Sequence, residues 1–382
     1  MRKLGFYIHI PFCQSKCRYC DFASWSGYSD TEIATYFEKL IKEIRLFAKK
    51  NNQIKVGTIY FGGGTPSYVN NRFIEQVMEC IESCFIVDFK LTDERTIEMN
   101  PASLTLEKAQ AYRKMGFNRV SIGLQATQNH LLRFLGRPHN WDDFICTYSA
   151  LEKAGIVNIS ADLMFGLPGQ TTKDVVDSVS RITHLPNIKH VSCYSLKVEK
   201  GTSFYTMQRE GRLELPDEIT ERLMQKLLIE GLADHGFEQY EISNFAKLGF
   251  ESCHNRSYWE MKPYVGFGLG AASYFNGKRW TNTFDMKSYL GDWGENNSSP
   301  VLEIHTLDEQ EMKGDFMFLG LREMKGICDA DYQKLFKSSF FDDFNVEIEE
   351  LINKKLLEQK NDRVCLTMRG QDFANQVFMM FV

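Results

Sequence analysis

The chain has 382 residues with 45 Lys and Arg against 50 Asp and Glu, a formal charge of −5. At roughly 150 residues per domain this length suits two or three domains or one large barrel with an appendage, and 43% hydrophobic with 25% charged residues excludes a disordered chain. The slightly acidic balance carries no global basic footprint for nucleic acid, and the most hydrophobic tail, Val377–Val382, is far too short to cross a bilayer. Met1-Arg-Lys runs into a strand-like segment rather than a secretory leader, so the chain is expected in the cytoplasm. Ten unevenly placed cysteines do not make a disulfide scaffold and point to thiolate chemistry in a reducing compartment.

In chain order, short apolar runs predict strands at Gly5–Ile10, Val56–Phe61, Arg95–Met99, Arg119–Ile122, Asn158–Leu163 and His190–Tyr194. Between them, helical periodicity covers Thr31–Lys50, Asn71–Cys84, Leu106–Met115, Trp141–Ala154 and Thr172–Thr183. Strands alternating with helices imply a parallel α/β sheet. The run is short of the roughly 250 residues of a closed eight-stranded barrel, so a partial (β/α)6 barrel over residues 1–199 is expected. A helix at Asp217–His235 and a Tyr/Phe/Gly-rich stretch, Gly236–Tyr289, form an extension over 200–295, and Gly294–Pro300 reads as a linker. Residues 301–382 read as a C-terminal α-rich, winged-helix-like region. Helices are expected at Leu307–Leu321, Asp329–Leu335 and Val346–Leu357, then a hairpin over Glu358–Thr367 and a last helix. Val346–Glu350 carries three glutamates, so this module is expected to pack or meet a partner rather than bind DNA.

Cys13-Gln-Ser-Lys-Cys17-Arg-Tyr-Cys20 follows the first strand directly, at the end where parallel folds build their sites. Three thiolates are one short of a closed site. A four-iron cluster held by three cysteines keeps one iron open to a substrate, whereas structural zinc wants four ligands and no fourth stands at finger spacing. Gln14, Lys16 and Arg18 mark the loop as exposed rather than core, and nearby cations are expected to depress the thiol pKa values. His9 is expected to be structural. Further polar residues close successive strands: Gly63, Gly64 and Thr65 after the second, Glu98 and Asn100 at the close of the third, Gln125 after the fourth and Asp162 at the end of the fifth. Each, taken singly, also suits a turn or helix cap.

The Cys-x3-Cys-x2-Cys spacing resembles the radical S-adenosylmethionine (SAM) superfamily. The resemblance implies a 4Fe-4S cluster on Cys13, Cys17 and Cys20 that passes one electron to bound SAM and generates a 5′-deoxyadenosyl radical. Within the superfamily the chain is similar to the branch of oxygen-independent coproporphyrinogen oxidases and HemW-type heme chaperones. That likeness implies SAM contacts at Tyr7, Tyr19, Gly63, Gly64, Thr65 and Glu98, and positions for a second SAM at Gln125, Arg137 and Asp162.

Two departures weaken the oxidase reading: Asp21 and Phe22 follow Cys20 where the oxidase has a further cysteine, and only six residues precede Tyr7. His254-Asn255-Arg-Ser-Tyr258-Trp259 resembles the chaperones' signature segment, which implies His254 as axial ligand of heme iron, with Cys253 second and with Tyr258, Trp259, Tyr264 and Phe267 covering the macrocycle. The chaperone resemblance implies delivery of heme to heme-requiring proteins, respiratory enzymes included, with peripheral membrane contact and a homodimer.

Overall fold

A computed structural model describes residues 3–88, 94–293 and 300–382. Six parallel strands lie side by side in chain order: β1 (Lys3–Ile10), β2 (Lys55–Gly63), β3 (Glu94–Met99), β4 (Arg119–Gln125), β5 (Ile159–Phe165) and β6 (Ile188–Ser195). The helices Asp30–Asn51, Asn71–Cys84, Leu106–Lys114, Trp141–Lys153 and Thr172–Thr183 join them. Their starts are written in the sequence. Ser29 accepts from the Glu32 N–H while the Glu32 carboxylate accepts from the Ser29 N–H at 2.8 Å, and Asn140 and Thr171 open their helices in the same reciprocal way.

The period of two along each strand separates two environments. Phe6, Ile8, Ile59, Phe61, Ile97, Val120, Ile122, Ala161, Leu163 and Val191 join the helices in one apolar core. The alternate positions, Tyr7, Tyr60, Glu98, Ser121, Asp162 and Ser192 among them, share the opposite face, where the polar groups of the site gather. Phe267, expected over a macrocycle, is instead in the apolar core, edge-on to Phe6 at 5.2 Å.

The sheet extends beyond the six predicted strands. Past β6 come β7 (Glu238–Glu241) and β8 (Asn244–Ala246); on the other side β9 (Tyr264–Phe267) pairs in parallel with β1, followed by β10 (Ala272–Phe275), β11 (Lys278–Asn282) and β12 (Val301–Thr306). Among the described residues the order is β12-β11-β10-β9-β1-β2-β3-β4-β5-β6-β8-β7, and the sheet does not close. The expected partial barrel is therefore present, with flanks made by the Gly/aromatic stretch. Of the expected linker, residues 294–299 lie outside the described residues. The chain returns as β12, antiparallel to β11.

The C-terminal region has its own core, in which Met317, Tyr332, Phe340, Ile348, Val364 and Val377 meet. Helices Glu309–Gly320, Asp329–Phe336 and Asn345–Asn353 precede a hairpin of β14 (Leu357–Lys360) and β15 (Arg363–Leu366), against which β13 (Ile327–Cys328) pairs. No helix among the described residues is long and apolar enough to cross a membrane.

One buried carboxyl fastens the β9–β11 extension to the first helix. Glu43 accepts hydrogen bonds from the Gly268 N–H (3.0 Å), the Asn282 side-chain amide (2.7 Å) and the Tyr289 hydroxyl (2.6 Å), and burial pushes its pKa up to about 7. The folded chain then holds a proton that the unfolded chain releases near pH ~4.3. The resulting stability is complete below that value and is lost as pH rises through about 7. Glu43→Gln is expected to flatten the decline of the thermal midpoint between about pH 5 and about pH 8; a slope equal to that of the unsubstituted protein would contradict this account.

Candidate functional site

At Pro11 the chain leaves β1 and forms the cysteine loop. The loop is closed by backbone bonds, Cys13 N–H to Trp25 O (2.9 Å) and Trp25 N–H to Pro11 O (2.8 Å). Its middle is held from outside: the Arg18 N–H donates to Leu135 O (3.0 Å) and Arg18 O accepts from the Phe204 N–H (3.0 Å). His9 supports it from the sheet, with Nε2 at 2.8 Å from Ala23 O and Nδ1 at 3.0 Å from the Tyr7 hydroxyl.

Cys13, Cys17 and Cys20 are half-buried free thiols. Their sulfurs lie 3.4 Å from Thr65 Oγ1, 3.3 Å from Arg137 Nη1 and 3.9 Å from Ser24 Oγ respectively. The net depression of the thiol pKa values expected from Lys16 and Arg18 is not found at Cys13 and Cys20, although Lys16 does act against burial at Cys20. The Lys16 ammonium donates to the carbonyls of Phe22 (3.4 Å) and Ser24 (3.2 Å), Arg18 donates to Phe134 O (3.1 Å), and burial pushes the Cys13 and Cys20 thiols up. The cation in contact with a thiol is Arg137. Among the described residues no three His, Cys, Asp or Glu side chains converge on a single ion. Three half-buried thiols on one loop beside an open cavity suit a cubane, three of whose irons would each take one cysteine.

The loop sits on the end of β2, where the Gly64 N–H donates to Ile10 O (2.8 Å) and the Thr65 N–H to Phe12 O (2.9 Å). A Cβ on Gly64 would stand 2.9 Å from both Ile10 O and Phe12 O, and Gly63, at φ +108°, would drive a Cβ to 2.4 Å from the His9 ring. Glycine is therefore required by the close approach of two backbones. Gly64→Ala is expected to destabilise the fold by about 1–3 kcal/mol and lower the iron bound per chain; urea unfolding and iron analysis test both, and unchanged values would mean that the loop yields freely.

The polar groups of the inner face complete the site. Glu98 accepts from the Tyr60 hydroxyl (2.7 Å) and the Gly63 N–H (3.1 Å); burial, reinforced by the neighbouring Asp162 carboxylate, pushes it up to about 7. Asp162, also raised by burial, accepts from Ser121 Oγ at 3.1 Å. Arg137 donates to Gly123 O and to Cys17 Sγ, and its Nε is buried without a protein partner, as is Oε1 of Gln125. Gln125 also adopts the left-handed region at φ +73°, a strain that clusters at functional sites.

Cys13, Cys17, Cys20, Tyr19, Gly63, Gly64, Thr65, Glu98, Asn100, Gln125, Arg137 and Asp162 all line one cavity of about 410 Å³. Ser192, Tyr194, Asn244 and Asn255 line it too and were missed in the sequence. Ser192 and Tyr194 continue the alternate-residue set of the predicted sixth strand, which was the signal available for them. Tyr7 does not line this cavity. It faces a second one of about 640 Å³, walled by Phe22, Tyr258, Trp259, Tyr264, Tyr274 and Phe284, and both cavities share Gly63 and Glu98.

His254 is placed differently from the expectation of an open axial ligand. The helix Cys253–Trp259 is seated by Glu94, which accepts from Ser252 Oγ (3.2 Å) and the Cys253 N–H (2.8 Å). His254 is 1% exposed and stacks on Tyr60 at 5.0 Å between ring centres. Its Nδ1 lies 2.7 Å from Thr58 Oγ1 and its Nε2 2.7 Å from the Tyr258 hydroxyl, and burial holds its pKa down to about 3. The ring is neutral, both nitrogens are engaged, and the residue lines neither cavity. The neighbouring Cys253 thiol is exposed.

Residues 7–182 match the model of the Radical SAM superfamily, and residues 307–373 that of the HemN C-terminal domain. The chain is 36% identical to a protein named heme chaperone HemW of Bacillus subtilis (strain 168), over 98% of both chains. It is also 36% identical to a heme chaperone HemW of Lactococcus lactis, over 98% of this chain and 96% of that one. Among solved structures, that of Escherichia coli coproporphyrinogen III oxidase (HemN), titled a radical SAM enzyme, matches with a TM-score of 0.87 at 21% identity. The match spans 100% of this chain and 90% of that one and is a likeness of fold.

Proposed function

We propose, for a chain that belongs to the HemW-type branch of the radical SAM superfamily, that it is a heme chaperone holding a 4Fe-4S cluster and SAM, which binds heme and delivers it to heme-requiring proteins, respiratory enzymes among them. The observation that carries the reading is the convergence on one cavity of three thiols, the glycine turn and the buried polar set. Cys13, Cys17 and Cys20 would hold three irons and leave the fourth for the amino and carboxylate groups of SAM. A cluster bound there supplies one low-potential electron.

The chain's own residues bind and orient. Gly63 and Gly64 let a ligand approach the backbone closely, and Tyr19 and Thr65 border the thiols. Glu98, fixed by Tyr60 and the Gly63 N–H, is an acceptor at the mouth of β3. Arg137 steadies a thiolate at Cys17 by a charge-assisted hydrogen bond. Gln125 Oε1 and Arg137 Nε have no protein partner, and with Asp162 they suit the polar groups of a second SAM. Tyr7 acts from the adjoining cavity, bordering SAM through Gly63 and Glu98.

In this reading residues 1–199 carry the cluster and SAM, 200–295 the heme segment and 301–382 the region that meets partners. The protein works in the cytoplasm, as a homodimer, and touches the membrane only at its periphery, where respiratory recipients stand. Coproporphyrinogen oxidase activity is not expected, because Phe22 occupies the place of that enzyme's further cysteine.

The test is transfer. Reconstituted, hemin-loaded protein mixed with membrane vesicles containing a heme-depleted cytochrome should lose its Soret absorbance to the cytochrome. The same preparation with SAM, reductant and coproporphyrinogen III should release no carbon dioxide. Retained hemin, or catalytic release of carbon dioxide, would overturn the proposal.

A further inference from the structure

The heme-chaperone reading requires an atom that meets the iron, and His254 does not face open space. Four residues on and across the same helix face stands Tyr258, half-buried, whose hydroxyl lies 2.7 Å from His254 Nε2. Tyr258 is part of the wall of the 640 Å³ cavity. The other walls suit a flat apolar guest: Trp259, Tyr264 and Tyr274 inside, with Phe22 and Phe284 at 64% and 54% exposure. Arg279 and Lys262 also line the cavity, as do the carboxyls of Asp21 and Glu98, and each of the two cations is paired with a carboxylate, Asp315 and Glu260, at 2.5 Å. A planar macrocycle matches that set of rings, and its polar arms could reach the charged groups of the rim.

We propose, resting on the heme-chaperone reading, that this aromatic cavity receives the macrocycle and that the phenolate of Tyr258, with His254 as the acceptor of its proton, is the ligand this chain offers to ferric heme. The O–H bond of Tyr258 breaks, an iron–oxygen bond forms, and the proton passes to His254 Nε2. The iron stays ferric and no electron moves. In the tautomer this step requires, the proton of the neutral ring sits on Nδ1 and is donated to Thr58, leaving Nε2 to accept from Tyr258. After transfer the imidazolium donates to both Thr58 and the phenolate, so no buried polar atom of the pair is stranded. Tyrosinate is a known protein ligand of heme iron. His254 is on this account a positioning residue whose role is carried out through Tyr258.

The test titrates hemin into the full-length protein and into His254→Ala, Tyr258→Phe and Phe284→Glu variants, each checked for retained fold by circular dichroism. The unsubstituted protein should show high-spin ferric heme with a phenolate-to-iron charge-transfer band and phenolate modes in resonance Raman spectra. Tyr258→Phe should lose both signatures and at least about tenfold in affinity. His254→Ala should keep the phenolate signature with weaker binding, and Phe284→Glu, an exposed change, should weaken binding at unchanged ligation. An unaltered spectrum in Tyr258→Phe, or an imidazole-ligated spectrum that disappears in His254→Ala alone, would overturn the ligand assignment while leaving heme binding in place. Unchanged affinity in Phe284→Glu would overturn the cavity. Failure of the unsubstituted protein to bind hemin at all would instead remove the heme-chaperone reading on which the assignment rests.

Discussion

Replacing any one of Cys13, Cys17 or Cys20 by alanine is expected to reduce the iron and sulfide of anaerobically reconstituted protein to background while leaving the fold intact. The reason is a division of labour within the loop. Its shape is set by main-chain bonds, Cys13 N–H to Trp25 O, Trp25 N–H to Pro11 O and Arg18 N–H to Leu135 O, none of which involves a sulfur. The sulfurs have only weak protein partners, the closest being the 3.3 Å contact from Arg137. Alanine therefore deletes a ligand without deleting the loop, and a cubane held at three corners cannot be kept by two. Cys146→Ala, at an exposed thiol of another helix, is the control and should bind iron normally. A variant at Cys13, Cys17 or Cys20 that retains full iron would sink the cluster assignment.

The largest expected effect on stability is at Glu94. The residue is 4% exposed and accepts from Thr96 Oγ1 (2.8 Å), Ser252 Oγ (3.2 Å) and the Cys253 N–H (2.8 Å). Its charge also supports that of Arg119, which is 2% exposed with Nε and Nη1 lacking a protein partner. Glu94→Ala would weaken the compensation of a buried guanidinium, to which Asp162 also contributes, and leave three donors without an acceptor. A buried donor left without its acceptor typically costs about 1–3 kcal/mol, and three are left here, so the urea midpoint should fall sharply. Adding Arg119→Met should recover part of the loss, because the stranded charge is then gone; losses that simply add would show that the two residues do not interact.

The six strands and five connecting helices were legible because each combined a clean period with a written start. Asn71–Cys84 and Thr172–Thr183 have the expected bounds, set by caps at Asn70 and Thr171. β7 to β11 were not legible. They are three to five residues long, they lie in a stretch rich in glycine and aromatics, and β9 is recruited by pairing with a strand at the other end of the chain, which no local pattern reports. That the three cysteines and the named strand-end residues meet at one cavity was legible from strand-end position and spacing, whereas its other polar liners, Ser24, Tyr60, Ser121, Ser192 and Asn244 among them, were not. The surroundings of His254 were not. Its neighbours Thr58 and Tyr60 come from β2, so a histidine beside aromatic residues looked open when it is sandwiched. Likewise Lys16 and Arg18 suggested electrostatic activation of the thiols, but their side chains donate to backbone carbonyls, burial outweighs the pull of Lys16 on Cys20, and the cation in contact with a thiol is the distant Arg137.

The parallel pairing of Gly5–Ile8 with Tyr264–Phe267 bears on how the molecule is made. A ribosome delivers β1 long before β9, so the nascent chain carries a raw margin of unpaired N–H and C=O groups beside its thiols through most of its synthesis. The hydroxyl of Tyr36, which donates to His9 O and accepts from the Leu269 N–H, finds its second bond only when that late segment arrives. A strand made early is thus among the last to be finished.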